Sequence, residues 1–175
     1  MAVIIECISV VIRNKSIIEK YEGGNKSFSE TLQGKIWVSD GEVVCVRFMT
    51  PIDAKAYVDI LEEKGLIFKD GNGKAIDIAV VDQIEGLLSD CDWIIAGRID
   101  WNNDRNKKVM ICCLNPSDLD EISVPKGWQY ETSLTSTTKF IDGNNIPKNL
   151  KFVRNENGVD IWIDRATDQE YFVRR

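Results

Sequence analysis

Three carboxylates sit where a β-strand would bury them. Glu6 lies between Ile5 and Cys7, Asp77 between Ile76 and Ile78, and Asp82 directly follows Val81. A lone carboxylate in an apolar interior costs several kcal/mol, so each must be paired, hydrogen-bonded or protonated. Two of them meeting in a cleft would be the minimum for acid–base chemistry in a hydrolase or isomerase. The alternative is a structural ion pair, for which Arg98 is an available cation. The stretch CDWIIAGRIDW, residues 91–101, poses the same question with aromatics. In a strand, Trp93, Ile95, Gly97, Ile99 and Trp101 share one face, and Asp92, Ile94, Ala96, Arg98 and Asp100 the other. Eight residues of straight strand span roughly 26 Å, so the two indoles line one pocket only if the strand bends, as it could at Gly97. Joined by Tyr57 and Asp92, they would make an aromatic-walled pocket with a carboxylate, suited to a small cationic ligand. Otherwise they are core.

Much chemistry is excluded by what the chain lacks. It contains no histidine, which removes Ser-His-Asp and Cys-His hydrolysis and histidine–metal sites together. The five cysteines form no C-x-x-C pair, so no metal site and no cofactor is expected, and reduced buried thiols are the simpler reading. Cys112 and Cys113 are adjacent in a strand-like run and must point to opposite faces. The segment DGNGKA lacks the spacing of a phosphate loop. As calcium loops, it and DWNNDRN put Ala75 and Arg105 where glycine is needed, and Val81 and Ile111 where glutamate is needed.

The formal net charge of -6 speaks against a nucleic-acid partner and for a basic protein or cationic ligand, or for solubility alone. The apolar N-terminus carries Glu6 and has neither a basic leader nor a small-residue cleavage site. No apolar run reaches the roughly 20 residues that span a bilayer. A cytoplasmic protein without membrane contact is expected.

The elements that would position these residues are legible in part. Residues 2–13 read as one long strand and NKSIIEKY as a short helix ending at Gly23–Gly24. KIWVSDGEVVCVRF reads as a hairpin turning at Asp40–Gly41, a type I′ signal. TPIDAKAYVDILEEKG predicts a helix over 51–64, with Thr50 as N-cap, Pro51 at N1, and Ile52, Ala56, Tyr57, Ile60 and Leu61 on its buried face. LIFK and KAIDIAVVDQ read as a second hairpin, DWIIAGRIDW and KKVMICCL as a third. The segment 115–122 reads as a turn with one helical turn, and 133–149 as a loop. GWQYETS, KFVR, VDIWID and EYFVRR read as a closing meander, with a turn at Asn157–Gly158. The expected fold is α+β and antiparallel strand-rich: a ferredoxin-like β-α-β-β-α-β N-terminal part followed by a β-meander. One compact domain over 1–175 is expected, divisible into 1–89 and 90–175.

RFMTPIDAKAYVDILEEKGL, DIAVVDQ and CDWIIAGRI, within residues 1–100, and, more weakly, the segment 150–173 resemble a group of conserved bacterial proteins of accessory type; some such small proteins are carried on mobile gene cassettes. That resemblance implies a bacterial cytoplasmic origin and no catalytic residue. The functional expectation is a non-enzymatic binding protein that meets a protein partner through its acidic surface, with small-molecule binding as the alternative and carboxylate-dependent catalysis behind both. Trp162 stands between Asp160 and Asp164 on the outer face of its strand, which makes it a candidate contact for self-association or another partner. A covering loop is the other explanation.

Overall fold

The apolar run at the N-terminus forms two strands, not one. The structure, a computed structural model, describes residues 1–116, 121–137, 139–142, 146–156 and 158–174. Strands β1 (Ala2–Ile5) and β2 (Ile8–Arg13) are separated at Cys7, whose φ of 54° lies in the left-handed region that a β-carbon disfavours. Gln83 holds the kink. Its side-chain oxygen accepts from the Cys7 N–H at 2.8 Å, and its own N–H donates to the Cys7 carbonyl at 2.9 Å. The break sends the two halves into different sheets.

Two short helices follow, α1 (Asn14–Lys20) and α2 (Gly24–Thr31). The second was not foreseen: Phe28 is its one buried residue, so it shows almost no apolar periodicity. The hairpin of β3 (Ile36–Ser39) and β4 (Val43–Phe48) forms as expected. Its turn is not type I′, because φ is positive at Gly41 and not at Asp40. Asp40 instead folds inward, its Oδ1 accepting from the N–H groups of Glu42 and Val43, each at 2.9 Å.

The predicted helix is α3 (Pro51–Glu63). Thr50 caps it twice over: its Oγ1 accepts from the Asp53 N–H at 3.1 Å and donates to Asp53 Oδ2 at 2.7 Å. Thr50→Ala is expected to cost about 1 kcal/mol in a urea titration; an unchanged midpoint would mean that packing alone sets the helix start. The buried face is rotated from the expected one. Ala54, Tyr57, Val58 and Leu61 are buried, whereas Ile52 and Ile60 are 60% and 46% exposed. Gly65 ends the helix with φ 97°, and a β-carbon there would stand 3.0 Å from the Lys20 carbonyl, so glycine is required on both counts.

Residues 66–69, expected as a strand, make only a single bridge between Lys69 and Ala75. The remaining elements are β5 (Ile78–Asp82), β6 (Gly86–Leu87), β7 (Ile94–Asp100), β8 (Lys108–Leu114), β9 (Ile122–Ser123), α4 (Leu134–Thr137), β10 (Lys139–Asp142), β11 (Leu150–Glu156), β12 (Val159–Asp164) and β13 (Glu170–Arg174). The expected strand in GWQYETS is instead a 3-10 turn at Tyr130–Thr132. The loop expected over 133–149 contains α4 and β10. The helical turn expected in 115–122 falls on residues 117–120, and Asn157 of the last turn is likewise outside the described residues.

The fold is α+β with three antiparallel-rich sheets, ordered β3-β4-β2-β5-β6, β7-β8-β1-β9 and β10-β13-β12-β11. In the first, β4 lies between β2 and β3 and antiparallel to both, and β5 pairs antiparallel on the other side of β2. That is the split β-α-β order expected of a ferredoxin-like half-sandwich. Alternation along β2 sorts its two faces. Ile8, Val10 and Ile12 join Ile17, Phe28, Tyr57, Val58 and Leu61 beneath the helices. Val11, with Val43, Cys45 and Val81, packs on Val3, Ile5 and Cys112 of the second sheet and on Trp93, which precedes it. Because β1 pairs with β8, a division at residue 89 does not separate the sheets. The β11-β12-β13 meander closes the chain as expected, and β10 adds to it parallel to β13.

Candidate functional site

The buried acids are each bound to their own partners. Glu6 is 2% exposed at the crossing from the second sheet to the first. One oxygen pairs with Arg47; the other accepts from the Thr135 N–H at 3.0 Å and Oγ1 at 2.9 Å. Asp77, 1% exposed, accepts from Ser16 Oγ at 2.7 Å, from Lys20 Nζ at 2.8 and 3.0 Å, and from the Ile67 N–H at 2.9 Å. Burial raises its pKa, but these donors outweigh burial and hold the carboxyl below its ordinary value. Asp82 Oδ1 accepts from the N–H groups of Ile84 and Glu85 at 2.7 and 3.0 Å and so shapes the β5–β6 turn. Arg98 serves none of the three. Its guanidinium donates to the carbonyls of Gln83 and Ile84, which makes it a clamp on that same turn.

The four residues grouped as a ligand pocket are dispersed. Trp93 precedes β7 and sits in the core between the first two sheets, its Nε1 donating to the Ala75 carbonyl at 3.2 Å and its ring 5.2 Å from the Arg13 guanidinium. Trp101 follows β7 and packs on the opposite side of that sheet, edge-on to Trp128 with centroids 4.8 Å apart. The same-face assignment fails because alternation holds only within β7, and both tryptophans lie outside its ends. Tyr57 is in the helix–sheet core. Burial pushes its phenol up to about 12 despite the 2.9 Å hydrogen bond with Thr31. Asp92 is exposed and pairs with Lys74 at 2.6 Å. Trp162 is half-buried, edge-on to Phe152 at 5.7 Å, and its two aspartates are buried, accepting from Asn155 and Asn149.

The thiols carry no sign of reactivity. Cys7, Cys45, Cys112 and Cys113 are buried and reduced. Burial pushes Cys45 up to about 12 and Cys112 well above its ordinary value. Cys112 and Cys113 do face opposite sides of β8.

Among the grooves that the fold leaves open, one of ≈ 270 Å³ is lined by Glu6 and Arg47 together with Trp128 and Leu134, and another, of ≈ 420 Å³, runs along α3. One wall is the helix stripe Pro51, Ala54, Lys55, Val58, Asp59 and Glu62; the other is made by Ile8, Phe68, Val80 and Leu88. Its floor is the edge of the main core, where Ile8, Ala54 and Val58 stay buried; the apolar surface in it comes from Phe68, Val80 and Leu88. The rim is charged. Lys55 and Asp59 pair with each other at 2.7 Å, Glu62 accepts from the Phe68 N–H at 3.2 Å, and the Lys69 ammonium rests 4.7 Å from the centroid of the Phe68 ring. None of the candidate site residues named from the sequence lines it. The groove draws on β2, α3, the 66–69 segment, β5 and the residue after β6, and no local pattern links them. The one usable signal was the i, i+4 pair Ala54–Val58 amid charged neighbours. In comparisons with known proteins, no family model, no curated protein and no solved structure matched the chain.

Proposed function

We propose that the chain acts by holding a small, largely apolar molecule in the groove along α3, and not by catalysis. One observation carries this: an apolar trough of ≈ 420 Å³ built on the core and left uncovered. Its volume lies within the range of small-molecule sites, about 300–1,000 Å³. Its walls belong to a packed helix and sheet, so the site is formed before the ligand arrives and little ordering entropy opposes binding. The buried acids are committed to structural partners. Among the described residues, several surface acids are already paired, as in Lys15–Glu19 and Lys107–Glu131.

The test uses 1-decanol, a neutral apolar probe. It is expected to raise the melting temperature of the native chain in a saturable way. A hundredfold excess over Kd stabilises by about 2.7 kcal/mol, and each kcal/mol moves Tm by roughly 2–4 °C at this size. Leu88 is 42% exposed, so Leu88→Lys should fold normally while placing an ammonium in the trough and abolishing the shift. If the native chain shows no saturable shift, or Leu88→Lys shows the same one, the groove is not a binding site.

A further inference from the structure

We infer that the cleft beside the Glu6–Arg47 pair takes a small organic anion with a planar apolar body: the anionic group meets Arg47, and the body lies against Trp128. This cleft, of ≈ 270 Å³, shares no lining residue with the groove along α3. Its volume is near the lower end of small-molecule sites, which suits a compact ligand. Two parts of the chain build it. Glu6, Ile36 and Arg47 supply one, and side chains from residues 125–134 the other. The second part is fixed in place. The Trp128 N–H donates to the Pro125 carbonyl at 3.0 Å and closes a turn with Lys126 and Gly127 at its tip, where Gly127 takes a φ of 78°. The Trp128 ring is edge-on to Trp101. Thr135, just past the cleft, holds Glu6 through its N–H and hydroxyl.

The charges decide the sign of the ligand. The charged lining residues are one acid, Glu6, and two bases, Arg47 and Lys126, which makes a positive spot on a chain of net charge -6. The acid is fully engaged. One oxygen takes both Thr135 donors and the other pairs with Arg47, so neither oxygen is left for a cation. Arg47 spends one of its five N–H donors on that pair, and its side chain, 18% exposed, meets no other acceptor among the described residues. A planar guanidinium with unused donors is the complement of a carboxylate, which accepts two of them side by side. Glu131, the one acid of residues 125–134, is taken by Lys107 at 2.7 Å, so Lys126 adds its charge without an acid from its own segment. Trp128, Ile36 and Leu134 offer the apolar wall for a ring.

The experiment titrates benzoate, benzamide and benzamidinium, which share a shape and differ in charge, into the full chain by isothermal calorimetry. Benzoate should bind about tenfold more tightly than benzamide, the difference between a charged and a neutral hydrogen-bond partner, and added salt should shrink that margin. Lys126 is exposed, so Lys126→Glu should fold normally and bring benzoate to the level of benzamide or below. Arg47→Lys keeps a cation for Glu6 but loses the planar fork, and should likewise erase the margin. Leu88→Lys, which alters the groove along α3, should leave benzoate binding as it is. Benzoate binding no tighter than benzamide, tightest binding of benzamidinium, or no binding of any of the three overturns the proposal. So does a benzoate affinity that is unchanged in Lys126→Glu or lost in Leu88→Lys, because the ligand would then sit elsewhere.

Discussion

Replacing Arg47 with methionine is expected to cost about 3–5 kcal/mol of folding stability, the loss seen when one partner of a buried ion pair is removed. Glu6 is 2% exposed and Arg47 is the cation on its second oxygen. Without the guanidinium, the carboxylate keeps only the Thr135 N–H and hydroxyl. It cannot leave, because Glu6 sits at the kink where β1 passes into β2. The double variant Glu6→Gln/Arg47→Met should recover much of the loss: the amide oxygen still accepts from Thr135, and no charge remains buried. Urea denaturation of the two single variants and the double completes a cycle whose coupling term isolates the pair. A double variant as unstable as the sum of the singles would mean that the pair is not coupled and that Arg47 acts through packing alone.

Asp77→Ala should cost about 2–4 kcal/mol, because it leaves the buried Ser16 hydroxyl and the Ile67 N–H without their acceptor. Lys20 is 40% exposed and can turn to water. The same residue makes stability depend on pH. Its folded pKa is lowered, so the unfolded chain takes up the proton first on acidification. The Asp77 contribution is complete above the ordinary carboxylate value of about 3.9. It is lost as the pH falls through that value toward the lower folded one. In Asp77→Asn the amide cannot titrate, so between pH 6 and pH 3 the urea midpoint should fall less than in the native chain. Parallel pH profiles for the two proteins would place the acid sensitivity elsewhere.

What could be read from the sequence was local. Thr50, Pro51 and Gly65 mark the ends of α3 through hydrogen bonds and dihedral limits within a few residues. The runs around Asp40–Gly41 pair as a hairpin because short loops force it, and KKVMICCL pairs with the strand before it for the same reason. The α+β, antiparallel character follows from such elements; the expected element order is realised in the first sheet with β5 as its last strand in place of residues 66–69, which make only a bridge. The rest depended on residues far apart. Glu6 finds Arg47 across 41 positions and Thr135 across 129, and nothing near Glu6 names either one. Arg98 had the right charge, but its strand lies in the other sheet and carries it to the Gln83 and Ile84 carbonyls instead. Residues 2–13 look like a single strand because an apolar pattern cannot show a left-handed residue held by a distant glutamine. The indoles of Trp93 and Trp101 went to opposite sides because a strand's alternation ends where its pairing ends. The groove exists only after α3 has settled on β2 and β5 with its stripe rotated away from Ile52 and Ile60. That rotation is set by which side chains fill the space beneath the helix, a packing outcome to which the helix's own periodicity is blind.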